Sequence, residues 1–244
     1  MMKKFVLLFV FIVMPLAAYA QGSIKVESSG IYTGPIQTVA PPIVVELFSS
    51  QNCPACPPAD AYMEKLSKMD GVIALSCHVD YFGKTSANLS RPICTQRQTR
   101  YIEQMGRKSH FTPQIMVNGH MSEVGYDQNA VAASIVKARS EKVRKISISK
   151  RADSVYNFVL PPMPVSGKVE IWTSVYQKPQ TLKERGKNIT YSNVLTNYIS
   201  LGVWDGQELN RVISPVVDSK SAGFTIIAQE IDSGKIIAAG NYSL

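Results

Sequence analysis

The sequence predicts an α/β domain followed by an antiparallel, β-sandwich-like domain. Over residues 43–143, short apolar runs alternate with segments of helical periodicity, the order expected of a parallel sheet covered by helices. Over residues 144–244, short alternating strands are separated by Gly and Pro, which is typical of an antiparallel sandwich. A Cys-Pro-Ala-Cys motif at positions 53–56 lies where the first strand meets the first helix. This junction is at the carboxyl edge of the predicted sheet, where open α/β folds place their chemistry.

The first domain is predicted to run strand, helix, strand, helix, strand, strand, helix. The predicted strands cover residues 43–48, 72–79, 111–117 and 120–124, and the predicted helices cover residues 59–69, 90–106 and 127–143. Asn118-Gly119 is a strong hairpin signal between the last two strands. A parallel pair extended by an antiparallel hairpin, with helices on both faces, is the thioredoxin layout. We therefore predict a thioredoxin-like domain at residues 43–143 and a β-sandwich domain at residues 144–244.

The N-terminus has the three-part layout of a secretory signal. Lys3 and Lys4 precede an apolar run over residues 5–18, and Ala18-Tyr19-Ala20 forms a small-residue cleavage site. The run is shorter than the roughly 20 apolar residues of a membrane span, although an uncleaved anchor is the alternative. We expect a signal peptide at residues 1–20 and a lead-in segment at residues 21–42. The mature chain is then exported, periplasmic or secreted, with no membrane span.

The positive charge of the chain does not by itself define a partner. The formal net charge is +8, and removal of the two signal lysines leaves 8 − 2 = +6. Much of the excess lies over residues 137–151. A solvated helix end explains this cluster, because cations suit the helix dipole there, and an anionic partner is the alternative. Nothing else in the sequence indicates nucleic-acid binding, so we expect none.

Several motifs along the mature chain occur in a fixed order. They are Val44-Val45-Glu46-Leu47-Phe48-Ser49, Cys56-Pro57-Pro58-Ala59-Asp60, His78-Val79-Asp80-Tyr81, Thr95-Gln96-Arg97-Gln98, Thr112-Pro113-Gln114 and Trp204-Asp205-Gly206. Together they resemble a bacterial secreted family known only as a domain of unknown function, within the thioredoxin-like superfamily. The resemblance implies the two-domain layout and a thioredoxin-like site, but no substrate. After Tyr81 the chain has Phe82 and Gly83 where the family pattern has Trp and Asp.

The two cysteines of the motif are candidates for thiol–disulfide exchange. Cys53 is expected to be the attacking thiolate and the more exposed of the pair, and Cys56 to be the resolving thiol. Pro57 and Pro58 lack N–H donors and suit a first helical turn, so the helix is expected to begin near Cys56. The positive end of the helix then lies about one turn from Cys53, which limits the lowering of its pKa. A purely structural Cys53–Cys56 disulfide is the alternative.

Thr112 and Pro113 are candidate substrate-positioning residues. A thioredoxin site has a cis-proline opposite the dithiol, and the residue before it offers its backbone to an extended substrate chain. The family resemblance implies that Pro113 is this cis-proline. An ordinary trans-proline at the start of a strand is the alternative.

Three polar residues complete the predicted site. Glu46 lies on the first strand, where a buried carboxylate could move protons between the thiols, or could pair with a lysine. His78 and Asp80 end the second strand at the same edge and could face the site, or could fix the strand end through hydrogen bonds. Cys53, Cys56 and His78 also form an alternative ligand set for Cu(I) or Zn, although no cofactor is our main expectation.

Cys77 and Cys94 are expected to form a second disulfide. The even number of cysteines and the oxidising compartment favour this pairing. In the alternative, Cys77 relays electrons to Cys56.

Three functions are therefore considered. The first is an exported thiol–disulfide oxidoreductase that exchanges disulfides with a cysteine-containing protein substrate and a redox recycling partner. The second is a copper- or zinc-binding protein. The third is a non-catalytic binding module in which the CxxC disulfide is structural.

Overall fold

A four-stranded mixed sheet holds the segments that surround the Cys-Pro-Ala-Cys motif. The computed structural model describes residues 40–83 and 89–244. The first elements are β1 (Ile43–Ser49), α1 (Pro57–Leu66), β2 (Val72–His78), α2 (Pro92–Gln104), β3 (Gln114–Val117), β4 (Met121–Val124) and α3 (Gln128–Ala138). The sheet order is β2-β1-β3-β4. Strand β1 pairs in parallel with β2 and antiparallel with β3, and β3 pairs antiparallel with β4.

The two faces of this sheet pack against different partners, because side chains alternate along each strand. Ile43, Val45 and Leu47 of β1 belong to a core that α1 and α3 complete. Val44 and Phe48 belong to a second core, which α2 and segments from later in the chain complete. All seven residues of β1 are buried, which explains its nearly continuous apolar sequence.

The rest of the described chain is built of strands. They are β5 (Arg144–Lys145), β6 (Ser147–Ala152), β7 (Val155–Leu160), β8 (Val169–Gln177), β9 (Gln180–Glu184), β10 (Lys187–Tyr191), β11 (Ile199–Trp204), β12 (Leu209–Ile213), β13 (Ser221–Glu230) and β14 (Ile236–Ser243). They form a five-stranded sheet (β11-β8-β13-β14-β5), a three-stranded sheet (β12-β7-β6) and a two-stranded hairpin (β10-β9). A third core lies among β7, β8, β13 and β14, where Phe158, Phe224 and Ile226 are fully buried.

The predicted fold class is wrong. The described residues are mostly β-strands in several small sheets, and three short helices account for only 17% of them, so this is not a thioredoxin-like α/β fold. The prediction assumed that helices cover both faces of the first sheet. Instead, Leu195, Ile227 and Ile236 share a core with Val44 and Phe48, so β-structure from the C-terminal half contributes to one face. The order of elements over residues 43–138 is nevertheless the predicted one.

The segment that follows β10 extends the free edge of β2. Ser76 of β2 forms a parallel bridge with Val194. Its N–H donates to the carbonyl of Asn193 and its carbonyl accepts from the N–H of Leu195, both at 2.9 Å. The Ser76 hydroxyl also donates to the carbonyl of Ser192 at 2.8 Å. These bonds fix the end of the β9–β10 hairpin beside β2 and bring β10 against α1.

All described residues belong to one compact unit that spans residues 38–244. The domain boundary between residues 143 and 144 stays a prediction. The signal peptide at residues 1–20 and residues 21–39 of the lead-in segment lie outside the described residues. None of the helices in the described part of the chain combines the length and apolar character needed to cross a membrane.

Candidate functional site

The Cys-Pro-Ala-Cys motif forms a tight loop between β1 and α1. The Cys53 N–H donates to the carbonyl of Ser50 at 3.1 Å, and the Cys56 N–H donates to the carbonyl of Cys53 at 3.3 Å. Helix α1 begins at Pro57, as predicted, with Cys56 at the N-cap position and prolines in the first turn. Prolines suit this turn because its N–H groups have no partner within the helix. The loop therefore holds Cys53 before the helix and Cys56 at its start.

The four cysteines form two disulfides. Cys53 is joined to Cys56, with Cα atoms 5.4 Å apart, and Cys77 is joined to Cys94, with Cα atoms 5.2 Å apart. Both Cα separations lie in the normal range for disulfides. Cys77 and Cys94 are fully buried between β2 and α2. The second disulfide is thus part of a core, whereas the first lies in a loop.

Cys53 is less accessible than the sequence predicts. Its exposed fraction is 3%, against 0% for Cys56. Hydrogen bonds also hold the preceding residue, Asn52. Its side-chain amide donates to the carbonyl of Phe82 at 3.0 Å, and its own carbonyl accepts from the Arg185 guanidinium at 2.9 Å. A macromolecule can reach the Cys53 sulfur only if the surface around this loop opens.

The backbone of Thr112 lies beside Cys53. The Cys53 Sγ is 3.8 Å from the Thr112 carbonyl oxygen, and the Thr112–Pro113 peptide bond is cis. The Pro113 carbonyl accepts from the Gly125 N–H at 2.9 Å. A Cβ atom at Gly125 would lie 3.0 Å from the Pro113 Cβ and 3.1 Å from the Ala59 Cβ. Glycine at position 125 therefore allows the Pro113 loop to pack closely against α1.

Asp60, which our interpretation of the sequence left out of the site, is a buried carboxyl group one helical turn after Cys56. Its Oδ2 accepts from the Ser49 hydroxyl at 3.1 Å. Its Oδ1 has no hydrogen-bond partner within the described residues and lies 4.0 Å from His78 Nε2. Burial raises the pKa of Asp60 to about 8; the Ser49 hydrogen bond lowers it and the Glu184 charge raises it further. Asp60 therefore carries a proton at neutral pH.

The spacing of Cys56 and Asp60 is the sequence signal for this group. Cys56 has helical backbone angles, and the Asp60 N–H donates to the Cys56 carbonyl at 3.1 Å. Side chains four residues apart are neighbours on one face of a helix. The Asp60 side chain is thus one helical turn from Cys56, the cysteine whose sulfur leaves when the Cys53–Cys56 bond is broken, and on the same face of the helix.

His78 lies behind Asp60 and is fully buried. Its ring packs edge-on against Tyr191 of β10, with the ring centroids 5.2 Å apart. Burial, together with the positive charge of Arg91, lowers the pKa of His78 to about 3. The ring is therefore neutral at physiological pH and encloses the Asp60 carboxyl on one side, with Nε2 4.0 Å from Oδ1.

Glu46 does not lie behind the CxxC disulfide. Its carboxylate is paired with Arg97 of α2, whose Nη2 donates to Oε2 at 2.8 Å, and it also accepts from the hydroxyl of Tyr101. Because Glu46 and Ser49 are three residues apart on one strand, they face opposite sides of the sheet. Burial lowers the pKa of Arg97, but the adjacent Glu46 carboxylate more than reverses this and raises it above its ordinary value. Glu46 is therefore half of a buried ion pair, with an arginine in place of the expected lysine.

Asp80 is also separate from this cluster. It is exposed, its N–H donates to the Thr95 hydroxyl at 3.1 Å, and its Oδ1 accepts from the same hydroxyl at 2.5 Å. These bonds tie the end of β2 to the first turn of α2. Of the two alternatives drawn from the sequence, this arrangement matches the hydrogen bonds that fix the strand end.

The alternative metal ligands are not assembled into a metal site. Across residues 40–83 and 89–244, no group of three or more His, Cys, Asp or Glu side chains is placed to hold a metal ion. Cys53 and Cys56 are bonded to each other, and both His78 nitrogens are enclosed by protein. The alternative ligand set for Cu(I) or Zn, Cys53, Cys56 and His78, is therefore not arranged to hold a metal ion within the described residues.

The β9–β10 hairpin covers the outer side of the motif, which sequence reasoning did not predict. The Gln51 side-chain amide donates to Glu184, and Glu184 also accepts from the Tyr191 hydroxyl at 2.6 Å. Between the hairpin and α1 lies a cleft of about 730 Å³. Pro54 and Pro57 form part of its wall, so the cleft borders the CxxC loop directly.

Together, fold and site define a β-rich protein with two disulfides, one of them in a CxxC loop beside a buried carboxyl group. The chain belongs to a family of proteins of unknown function, DUF1223, whose profile matches residues 44–229.

Two solved structures are similar to the chain. One is an X-ray crystal structure of a protein from Agrobacterium tumefaciens, with 27% identity and a TM-score of 0.72, covering 84% of this chain and 95% of that one. The other is HBP35 of Porphyromonas gingivalis, with 12% identity and a TM-score of 0.57, covering 85% of this chain and 76% of that one. At 12% identity the second likeness concerns the fold alone. No curated protein is significantly similar to the chain.

Proposed function

We propose that the protein is a thiol–disulfide oxidoreductase that exchanges disulfides with protein cysteines through Cys53 and Cys56. The observation that carries this proposal is the position of a protonated, buried Asp60 one helical turn from Cys56. A structural disulfide has no need of a buried proton donor one helical turn from one of its cysteines. An exchanging disulfide does, because one sulfur must leave as a thiolate and then be neutralised.

When a substrate is oxidised, the proposed reaction has two exchange steps. A substrate thiolate attacks Cys53 Sγ, so the bond between Cys53 and Cys56 breaks and a bond between the substrate and Cys53 forms. Cys56 leaves as a thiolate and takes the Asp60 proton. A second substrate thiolate then attacks the substrate sulfur of the mixed disulfide and releases Cys53. Two electrons pass from the substrate to the protein, and a disulfide-bearing partner accepts them in turn. The reverse sequence reduces a substrate disulfide.

Thr112 is proposed to position the substrate. Its carbonyl oxygen lies 3.8 Å from Cys53 Sγ, so an extended chain that reaches the sulfur passes along this backbone. Backbone pairing of this kind gives affinity without requiring a particular substrate sequence. Pro113 supports this role because its carbonyl is tied to Gly125. His78 is proposed to act indirectly, by keeping water away from Asp60.

The low exposure of Cys53 favours one competing function, in which the CxxC disulfide only stabilises the fold of a binding module. A sulfur that is 3% exposed cannot meet another protein without movement of its surroundings. The proposed enzyme must therefore open around Asn52, whose side-chain amide donates to the carbonyls of Phe82 and Gly83 and whose carbonyl accepts from Arg185. Each such bond contributes only about 0.5–1.5 kcal/mol to the closed state.

Trapping of a mixed disulfide separates the two functions. Reduced Cys56→Ala protein is incubated with a disulfide-bonded protein, quenched with acid and alkylated, and the adduct is identified by mass spectrometry. We expect an adduct through Cys53, because removal of Cys56 blocks its resolution, and none with Cys53→Ala. Cys94→Ala is the matched control, since it frees a buried thiol at Cys77 that should form no adduct. Absence of a Cys53 adduct at every pH up to 9 contradicts the proposal.

We propose further that the protein acts outside the cytosol, where its substrate and recycling partner carry disulfides. The expected signal peptide is cleaved after Ala20. Expression of the full chain in a bacterium, followed by N-terminal sequencing of the periplasmic fraction, should give a mature protein that begins at Gln21. Recovery only of an uncleaved cytosolic chain contradicts export.

A further inference from the structure

The cleft between α1 and the β9–β10 hairpin combines an apolar wall with two exposed cations, Arg185 and Lys187. Its apolar wall consists of Pro54, Pro57, Pro58, Ala61 and Ile189. Proline has a hydrocarbon ring and no backbone N–H donor, so this wall favours contacts with apolar parts of a ligand. Because the wall belongs to the CxxC loop, to the first turns of α1 and to β10, a ligand in the cleft contacts the CxxC loop at Pro54, the residue after Cys53.

Two cations at the cleft have no carboxylate partner. Arg185 and Lys187 line the cleft and are exposed. Within the described part of the chain, neither forms an ion pair, and the Arg185 guanidinium donates to the backbone carbonyl of Asn52. Of the two carboxylates of the lining, Glu64 is paired with Lys68. Glu184 instead accepts from the neutral Gln51 and Tyr191 side chains and keeps its negative charge, so one unpaired carboxylate stands against two unpaired cations.

The turn of the β9–β10 hairpin places both cations at its tip. Arg185 and Gly186 both have positive φ, 47° and 77°, which makes a tight two-residue turn between β9 and β10. Lys187 lies directly opposite Glu184 in the hairpin register, yet the Glu184 carboxylate turns toward Gln51 and Tyr191 instead. The positive charge of Lys187 therefore remains available to a ligand.

We propose that this cleft binds an acidic, extended segment of the substrate polypeptide, next to the cysteine that exchanges with Cys53. The inference rests on the proposed function for the exchange, but not for the binding. Apolar atoms of the segment contact the proline wall, and its Asp or Glu side chains meet Arg185 and Lys187. Arg185 also holds the Asn52 carbonyl, so an acidic residue that attracts its guanidinium loosens one of the hydrogen bonds that hold the CxxC loop. Binding at the cleft thus favours access to Cys53.

The test uses two synthetic peptides that differ only in charge, one with glutamates on one side of a single cysteine and one with lysines there. Versions with serine in place of cysteine measure binding alone, by fluorescence anisotropy at low ionic strength. We expect the acidic serine peptide to bind roughly three- to tenfold more tightly than the basic one, and the difference to shrink as salt is added. Lys187→Glu should abolish or reverse this preference.

Lys183→Glu is the matched control. It makes the same charge change on the same hairpin, but Lys183 does not line the cleft. We expect it to keep the preference for the acidic peptide. Equal binding of the two peptides by the unmodified protein overturns the inference, and so does an equal loss in Lys183→Glu and Lys187→Glu.

The cysteine peptides separate this inference from the proposed function. If the acidic serine peptide binds preferentially but neither cysteine peptide forms a mixed disulfide, the result supports acidic-peptide binding at the cleft and contradicts the proposed exchange function. If both cysteine peptides form mixed disulfides at equal rates and the serine peptides bind equally, the exchange function stands and the cleft proposal fails.

Discussion

Replacement of Asp60 by Asn tests the most unusual group of the site. The carboxyl group is buried, and its pKa is raised from 3.8 to about 8. Asn has nearly the same shape as a protonated Asp, and its side-chain oxygen can still accept from the Ser49 hydroxyl. The substitution therefore removes the titration while leaving most contacts in place.

The magnitude follows from the pKa difference between the folded and unfolded chain. Below pH 4 the carboxyl is protonated in both states, and its contribution to folding is complete. As the pH rises toward 8, the unfolded chain loses the proton and the folded chain keeps it, so the free energy of unfolding falls. At about 1.4 kcal/mol per pH unit, the loss between pH 4 and pH 7 is at most about 4 kcal/mol. Asp60→Asn is free of this loss.

Urea unfolding of the oxidised protein measures this effect. We expect Asp60→Asn and the unmodified protein to have similar free energies of unfolding at pH 4. Between pH 4 and pH 8 the variant should become progressively more stable than the unmodified protein. Titrating groups that do not interact with Asp60 act equally in both proteins and cancel in the difference. A stability difference that does not change between pH 4 and pH 8, or that changes in favour of the unmodified protein, refutes the assignment of a protonated, buried Asp60.

Three further predictions concern the surroundings of the site. Arg97→Met leaves the Glu46 carboxylate buried without its ion-pair partner and should destabilise the protein by about 3–5 kcal/mol in urea unfolding. The double variant Glu46→Met/Arg97→Met should recover much of this loss. A single variant as stable as the unmodified protein contradicts the buried pair. Because the pKa of His78 is lowered to about 3, its contribution to stability is lost as the pH falls from about 6.5 to 3. The free energy of unfolding of His78→Gln should therefore fall less steeply over this pH range than that of the unmodified protein. An equally steep fall in both proteins would refute a neutral His78. Gly125→Ala places a Cβ 3.0 Å from the Pro113 Cβ and should cost about 1–3 kcal/mol in thermal unfolding. The control Gly167→Ala, where the nearest atom would be 3.9 Å away, should change little, and equal effects of the two substitutions contradict close packing at Gly125.

Local sequence signals predict the elements around the CxxC loop well. The prolines after Cys56 place the start of α1 correctly, because a residue without an N–H suits the first turn. Asn118-Gly119 marks a real turn, since both residues have positive φ, 45° and 73°. These signals act over a few residues, so they can be recognised without knowing what the segment packs against.

The fold class and the identity of the buried carboxyl depend on distant contacts that no local pattern encodes. Glu46 finds Arg97, 51 residues later, on the opposite face of β1 from the disulfide loop. Asp60 reads from the sequence as an ordinary acidic residue in the first turn of a helix, where the dipole favours it. It is buried only because β2 and the later hairpin enclose it, and Glu184, 124 residues away, helps to raise its pKa. The same long-range packing of β-structure onto the first sheet makes the predicted fold class wrong.

The reduction potential of the Cys53–Cys56 couple tests the central claim most directly. The protein is equilibrated with dithiothreitol or glutathione buffers, quenched with acid and alkylated, and the modified cysteines are counted by mass spectrometry, with Cys77–Cys94 as the internal reference. Disulfides that exchange have potentials above about −300 mV, whereas structural disulfides in exported proteins lie below that value. We predict that Cys53–Cys56 is reduced well above −300 mV while Cys77–Cys94 stays oxidised. Reduction of both pairs together, below −300 mV, would contradict the proposed function.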